Sequence, residues 1–257
     1  MILLIGGTSE TASFAEALAA AGFDVLVSTA TDVALEVGRH PRIFRRCGRL
    51  DQAGLVRLIT EKGIRAVVDI VHPYAGLARL HARMAAAERH IPYLSWVRPA
   101  VLSPDESLFF AANHLKAAQL ACSFQATVFL TTGSRNLEPY VDEAARAGVR
   151  LVVRVLPHQE SRAACHAARI PDDHIITGRG PFTVTDNLTV LRRFDVGVMV
   201  TKDSGAAGGV LDKLAAAKTV GCKVVVVARP EDTAASSFTT AAELVIALSA
   251  CSVPAGG

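Results

Sequence analysis

Residues 196–218, V-G-V-M-V-T-K-D-S-G-A-A-G-G-V-L-D-K-L-A-A-A-K, restrict the chain to a narrow set of folds. An apolar, β-branched run stops at Val200, and Thr201, Lys202, Asp203 and Ser204 follow with no spacer. Gly205, Gly208 and Gly209 let the backbone fold tightly and approach a ligand before an amphipathic helix begins. A buried strand emptying into a polar loop and then a helix is the repeating unit of a parallel α/β sheet. Unpaired N–H groups at such a helix start attract anions, and Lys202 adds a full positive charge there.

The other end of the chain repeats this grammar. Residues 2–5, I-L-L-I, lead into Gly6-Gly7-Thr8-Ser9-Glu10 and a helix carrying Phe14, Ala15, Leu18 and Ala19 on one face. A strand that opens a chain and ends in a Gly-Gly turn is how dinucleotide-binding folds begin. The full G-x-G-x-x-G is not present, since Ser9 stands where the second fingerprint glycine would sit. Thr8 and Ser9 carry hydroxyls that suit either a pyrophosphate or a helix cap.

Between these ends, strands read at 2–6, 24–29, 42–46, 66–71 and 92–95, with helices at about 9–21, 51–62 and 74–89 and a short one near 31–38. Arg98-Pro99 and Ser103-Pro104-Asp105 break the alternation, because the residue before proline avoids helix. A helix over 107–121 restarts it, and strands follow at 126–131, 150–155, 174–177, 196–201 and 222–228. Helices fill the gaps at about 136–147, 159–168, 183–193 and 209–220, and a last one covers 238–250. The expectation is two parallel-sheet α/β domains, 1–98 and 99–257, with a ligand cleft between them that closes by hinging near Arg98-Pro99.

Composition agrees with this class and excludes others. Hydrophobic residues are 51% of the chain and aromatics only 5%, so the core is built from Val, Leu, Ile and Ala, as in parallel sheets. A net charge of +3, with no basic run interleaved with aromatics, does not point to nucleic acid. Cys47, Cys122, Cys165, Cys222 and Cys251 form no C-x-x-C, and the histidines form no H-E-x-x-H, so neither a disulfide frame nor a metal site is expected. With no basic leader and no long apolar window, the chain reads as a soluble, cytoplasmic protein. No G-x-x-x-x-G-K-[ST], no G-x-S-x-G and no Tyr-x-x-x-Lys pair occurs.

In open parallel sheets ligands gather outside the carboxyl ends of the strands, so the residues there are the candidates. The first half offers Gly6, Gly7, Thr8, Ser9 and Glu10, then Ser28 and Thr29, then His72 and Tyr74 in D-I-V-H-P-Y-A. Ser28 and Thr29 stand where an NAD-binding fold carries an acidic residue, although Asp32 is nearby; their hydroxyls leave room for a 2′-phosphate and favour NADPH. The second half offers Arg135 in T-T-G-S-R, Arg179 in G-R-G-P-F, and Lys202, Asp203 and Ser204, with Arg154 near the end of another strand. Cations on different strands suit an anionic small molecule, and arginine grips carboxylates in a planar fork.

Taken together, G-G-T-S-E, D-I-V-H-P-Y-A, F-L-T-T-G, G-R-G-P-F and V-T-K-D-S-G followed by K-L-A-A-A resemble the precorrin-6A reductase family of corrin biosynthesis, over Ile2 to Pro230. The resemblance implies two Rossmann-like domains and reduction of one ring double bond of a methylated tetrapyrrole, with NADPH, or with NADH in the cobalt branch. It assigns Gly6, Gly7, Thr8 and Glu10 to the nucleotide loop. His72-Pro73-Tyr74-Ala75, Gly178-Arg179-Gly180-Pro181-Phe182 and Lys202-Asp203-Ser204-Gly205 would line the cleft. Ser9 replaces a glycine common in the family, Tyr74 a phenylalanine and Asp203 an asparagine, the last adding negative charge near a polyanionic substrate. On this reading His72, Tyr74 and Lys202 are the candidate catalytic residues, and Arg135, Arg179, Lys202, Asp203 and Ser204 hold the tetrapyrrole, with precorrin-6B as product. Three other readings stay open: a cobalt-precorrin-6A reductase using NADH, a pyridine-nucleotide reductase acting on a different polycarboxylate, and a non-catalytic two-lobed protein that binds a small ligand.

Overall fold

Each part of the chain builds one parallel sheet of six strands, with β1 central in the first and β7 central in the second. The computed structural model describes residues 1–31, 35–96, 102, 108–203, 209–229 and 237–251. The first unit comprises Met1–Pro99 together with Pro230–Gly257, and the second Ala100–Arg229.

In the first unit the order is β1 (Ile2–Ile5), α1 (Thr11–Ala20), β2 (Val25–Thr29), β3 (Ile43–Cys47), α2 (Gln52–Glu61), β4 (Ala66–Asp69), α3 (Gly76–Glu88) and β5 (Tyr93–Trp96). In the second it is β6 (Leu108–Ala111), α4 (His114–Ser123), β7 (Thr127–Leu130), α5 (Glu138–Ala147), β8 (Leu151–Val155), α6 (Gln159–Ala167), β9 (Ile175–Thr177), α7 (Val184–Arg193), β10 (Val196–Lys202), α8 (Val210–Thr219) and β11 (Lys223–Val227). The chain then returns to the first unit as β12 (Ser237–Phe238) and α9 (Ala241–Ala250).

The first sheet runs β12-β5-β4-β1-β2-β3, which is the dinucleotide-fold order with β12 as sixth strand. Ile5 pairs with Ser28 on one side and Asp69 on the other, so the chain reverses direction across β1, and its loop faces the switch point. The second sheet repeats the pattern as β6-β11-β10-β7-β8-β9, with β7 between β8 and β10. In both sheets the sixth strand comes from outside the local chain order: β12 arrives after the whole second unit, and β6 precedes β7.

The central strands form because Val, Ile and Leu fill both faces. Ile2, Leu4, Val25, Val27 and Val68 pack under α1 and α9, while Leu3, Ile5, Leu26 and Val67 pack under α2 and α3. In the second unit Phe129, Val152, Met199, Val224 and Val226 pack beneath α7 and α8, and Tyr140 and Ala144 of α5 are buried on the opposite side. Local chemistry sets the helix ends. Asp51 accepts the Gly54 N–H, Thr183 with Asp186 and Thr240 with Glu243 form reciprocal caps, and α5 ends on Gly148 at φ +67°.

Three sequence expectations are corrected. Residues 108–111 are a strand and not the start of a helix. Leu108–Ala111 pairs with Val224–Val227, and helix begins only at His114, where Asn113 caps it by accepting the Lys116 N–H at 2.9 Å. Strand pairing there outweighs the helical pattern. Second, the second unit ends at Arg229 and not at 257, and the first unit is the discontinuous one, because the last segment of the chain belongs to it. Phe238 pairs with Trp96, the Trp96 indole N–H donates to the Thr239 carbonyl at 2.8 Å, and Leu244 and Leu248 are fully buried beside Phe14 and Leu18. Third, no regular element occupies 35–40 in place of the short helix near 31–38, whose residues 32–34 lie outside the description. Asp32, Arg98-Pro99, Ser103-Pro104-Asp105, Ser204, Gly205 and Gly208 also lie outside the described residues.

Candidate active site

At the carboxyl end of β1 the turn is built around Thr11. Its hydroxyl oxygen accepts the N–H groups of Gly7 at 3.0 Å and Thr8 at 3.1 Å, folding the turn onto α1. A Cβ on Gly6 would meet the Thr11 side chain at 2.6 Å, so only glycine lets loop and helix approach this closely. Gly7 sits at φ +120° with open space on its Cβ side, which leaves room for a ligand against the backbone. Thr8 turns inward and donates to the Ile70 carbonyl at 3.4 Å, while the Ser9 hydroxyl donates to Glu10 at 3.0 Å. No side chain caps α1; the Thr11 N–H donates to the Thr8 carbonyl at 3.1 Å, and the helix start faces the turn with the positive end of its dipole, which suits a pyrophosphate.

Ser28 and Thr29 are both buried at the end of β2, but they differ in use. Thr29 donates its hydroxyl to the Thr31 carbonyl at 3.0 Å. Ser28 accepts from Arg46 Nη1 at 2.7 Å, and Arg46 Nη2 donates to the Cys47 carbonyl at 2.7 Å. Arg46 lies opposite Ser28 on β3 and places a half-buried guanidinium beside the end of β2. This residue is not among the sequence candidates. Its signal is the R-R-C run at 45–47, which ends a strand.

His72 and Tyr74 share the turn after β4: the Tyr74 N–H donates to His72 Nδ1 at 3.3 Å, and the rings stand 5.6 Å apart. With Nδ1 accepting, Nε2 carries the proton of the neutral ring. Asp69 beneath them is fully buried, bound by Arg79 Nε at 3.0 Å, the Tyr93 hydroxyl and the Val71 N–H at 2.9 Å. That carboxylate is satisfied and acts as a strut.

In the second unit the candidates separate into exposed and enclosed groups. Arg135 follows Gly133, which sits at φ +85°, and its side chain is exposed, as is that of Arg179 after β9. Lys202 closes β10 and is only half-exposed. Burial first, and the charge of Arg135 second, pull its ammonium down to about 8. His114, at the first position of α4, is lowered to about 4 by burial and then by the charge of Lys202, so it is neutral at physiological pH. Its Nδ1 lies 2.9 Å from the buried Tyr140 hydroxyl. Thus Arg135, in the loop after β7, and His114, at the start of α4, each come within electrostatic reach of Lys202. His114 is absent from the sequence candidates because 107–121 reads there as uninterrupted helix.

Asp203 is buried and bound twice by Arg229, whose Nη2 meets Oδ1 at 3.0 Å and whose Nε donates to the Asp203 carbonyl at 2.9 Å. The negative charge expected near a polyanionic ligand is therefore offset from within the protein. Arg154 is also interior rather than a cation open to solvent at the strand ends: it is 5% exposed, donates to Asn187 Oδ1 at 2.7 Å, and lies over the Phe182 ring at 3.9 Å. The hydroxyls of Thr132 and Thr201, just after β7 and at the end of β10, are buried without a hydrogen-bond partner among the described residues. Among the described residues no group of three His, Cys, Asp or Glu could hold a metal, and no helix is long and apolar enough to cross a membrane.

The comparisons with known proteins bear on the fold and the family. A cobalt-precorrin-6A reductase of Priestia megaterium is 33% identical over 249 residues, covering 96% of this chain and 98% of that protein. A precorrin-6A reductase of Rhodococcus erythropolis is 32% identical over 236 residues, covering 89% of each chain. The solved structure of the CobK precorrin-6A reductase superposes with a TM-score of 0.79 at 25% identity, covering 100% of this chain and 99% of that one. A family model described as precorrin-6x reductase CbiJ/CobK matches residues 1–249, and the chain belongs to that family of cobalamin-biosynthesis oxidoreductases.

Proposed function

We propose that this protein is an NADPH-dependent, cytoplasmic reductase that saturates one ring double bond of precorrin-6A and releases precorrin-6B. The observation that carries the cofactor choice is Arg46, held 2.7 Å from Ser28 Oγ where a 2′-phosphate would lie. The family implies a nicotinamide cofactor, and the open Cβ side of Gly7 with the uncapped start of α1 fits one. Gly6, Gly7, Thr8, Ser9 and Glu10 shape the pyrophosphate turn; Ser28 and Arg46 meet the phosphate; Thr29 holds the adjoining backbone. When bound, the cofactor supplies a hydride.

The chain's own residues supply position and a proton. Arg135 and Lys202 follow neighbouring strands, and Arg179 follows β9, about 14 Å across the sheet from β10 at ~4.8 Å per strand. Cations spread along one edge in this way suit a macrocycle carrying several carboxylates. Asp203, neutralised by Arg229, secures the β10 end that presents Lys202. His72, Tyr74 and Lys202 bear the exchangeable protons for the second carbon of the reduced bond.

The test is to mix the protein with NADPH or NADH and with precorrin-6A or its cobalt form, following nicotinamide absorbance. Oxidation of NADPH by the cobalt-free substrate is expected. Faster turnover of the cobalt form with NADH, or binding with no oxidation in any pairing, contradicts the proposal.

A further inference from the structure

The G-R-G-P-F turn at 178–182 is fastened from inside the protein. Phe182 lies with its ring 3.9 Å from the guanidinium carbon of Arg154, whose other aromatic neighbour is Phe129 at 5.0 Å. Arg154 Nη2 donates to Asn187 Oδ1 at 2.7 Å, and Asn187 in turn donates to the carbonyls of Thr183 at 2.7 Å and Phe182 at 3.3 Å. The Gly178 N–H donates to the Val155 carbonyl at 3.0 Å, pinning the start of the turn to β8. Its far end is pinned by the reciprocal cap of Thr183 and Asp186. A Cβ on Gly178 would stand 2.9 Å from the Phe182 ring, so the ring rests flush against that glycine. Gly209 closes the remaining side, where a Cβ would lie 3.4 Å from Pro181.

A guanidinium buried to this degree is costly, and a hydrophobic residue would fill the space more cheaply if packing were its only task. A planar cation that stacks and donates in plane at once fixes both the height and the azimuth of the loop, which an ammonium cannot do. The one charged residue of that loop, Arg179, is exposed between two glycines and has no stiffness of its own. We infer that Arg154 is the positioning residue of the 178–182 turn and, through Phe182 and Asn187, sets where Arg179 meets the substrate. The inference rests on the reading of Arg179 as a carboxylate contact and assigns its aim to a buried side chain on a different strand.

Two variants loosen the turn from opposite sides: Arg154→Met removes the stack and the hydrogen bond, and Gly178→Ala displaces the ring with Arg154 intact. Trypsin cleavage at Arg179–Gly180 in the folded protein, read by mass spectrometry, should accelerate about 30-fold in Arg154→Met and also rise in Gly178→Ala. The Michaelis constant for the tetrapyrrole should rise about tenfold in each, with NADPH affinity unchanged. Arg154→Met/Arg179→Ala should then be no worse than Arg179→Ala alone, because both act through one contact. Unchanged cleavage in both variants overturns the inference. So does an Arg154→Met effect on KM that adds fully to that of Arg179→Ala. Accelerated cleavage with Arg179→Ala leaving KM untouched removes Arg179 from the substrate site while upholding Arg154 as the support of the turn.

Discussion

Replacing Arg46 by methionine removes the guanidinium but keeps most of the apolar stem. In the structure that guanidinium makes two bonds of 2.7 Å, to Ser28 Oγ and the Cys47 carbonyl, and lies half-buried at the strand edge. A hydrogen bond to a charged group is worth about 1.5–3 kcal/mol, so loss of a phosphate contact should weaken NADPH about 10- to 150-fold. NADH lacks that phosphate and should bind within about twofold of its former affinity. The variant also strips the buried Ser28 hydroxyl of a partner, which costs about 1–2 kcal/mol and lowers the melting temperature by a few degrees. That loss is common to both cofactors and cannot produce discrimination. Calorimetric titration of wild type and variant with each cofactor separates the two effects. Unchanged NADPH affinity, or an equal fall for NADH, refutes Arg46 as the phosphate ligand.

Other outcomes follow from the same geometry. The lowered Lys202 ammonium, at about 8, makes kcat/KM fall about tenfold per pH unit above that value, and Lys202→Arg should flatten the profile because arginine stays charged. The folded state binds fewer protons at Lys202, and likewise at Lys213, which burial lowers to about 8; these two groups therefore raise stability as pH climbs from about 8 toward their ordinary range. Activity falling while the melting temperature holds or rises between about pH 7 and 9 is the expected signature, and a parallel fall of both contradicts it. Leu244→Ala should cost about 2–5 kcal/mol in urea unfolding, since its side chain is fully buried in the first unit's core; a near-neutral change would detach α9 from that core. Asp69→Ala leaves Arg79 without its carboxylate and should destabilise by about 3–5 kcal/mol, and full stability would show that the pair is dispensable.

What could be read from the sequence follows the physics of each segment. The central strands were legible because a strand buried on both faces shows as a continuous run of Val, Ile and Leu, as at Ile2–Ile5 and in the four valines of Lys223–Val227. Edge elements carry no such mark. Ser237–Phe238 is two residues long, and its pairing with Ser95 and Trp96 spans the whole second unit, so no local pattern announces it. Leu108–Ala111 is apolar and short, where strand and helix read alike. At the site, the residues that punctuate loops were visible by position, as with Gly6, Gly7, Arg179 and Lys202. The facing of side chains was not. Arg154 and Arg179 both stand near strand ends, yet β8 is an inner strand with Arg154 turned under α7, while Arg179 lies beyond β9 in a loop. His114 acquires its part only because α4 starts where β10 ends, a relation that the sheet order creates.

The central claim is that a hydride from NADPH and a proton from the solvent-exchangeable groups of this protein are added across one double bond of the tetrapyrrole. Reduction of precorrin-6A with NADPH deuterated at the transferable position, in ordinary water, tests it most directly. Mass spectrometry should find a single deuterium in the ring of the product, and a second one only when the reaction is run in heavy water. A product without deuterium from the cofactor, or a tetrapyrrole that stays unreduced while NADPH binds, contradicts the account.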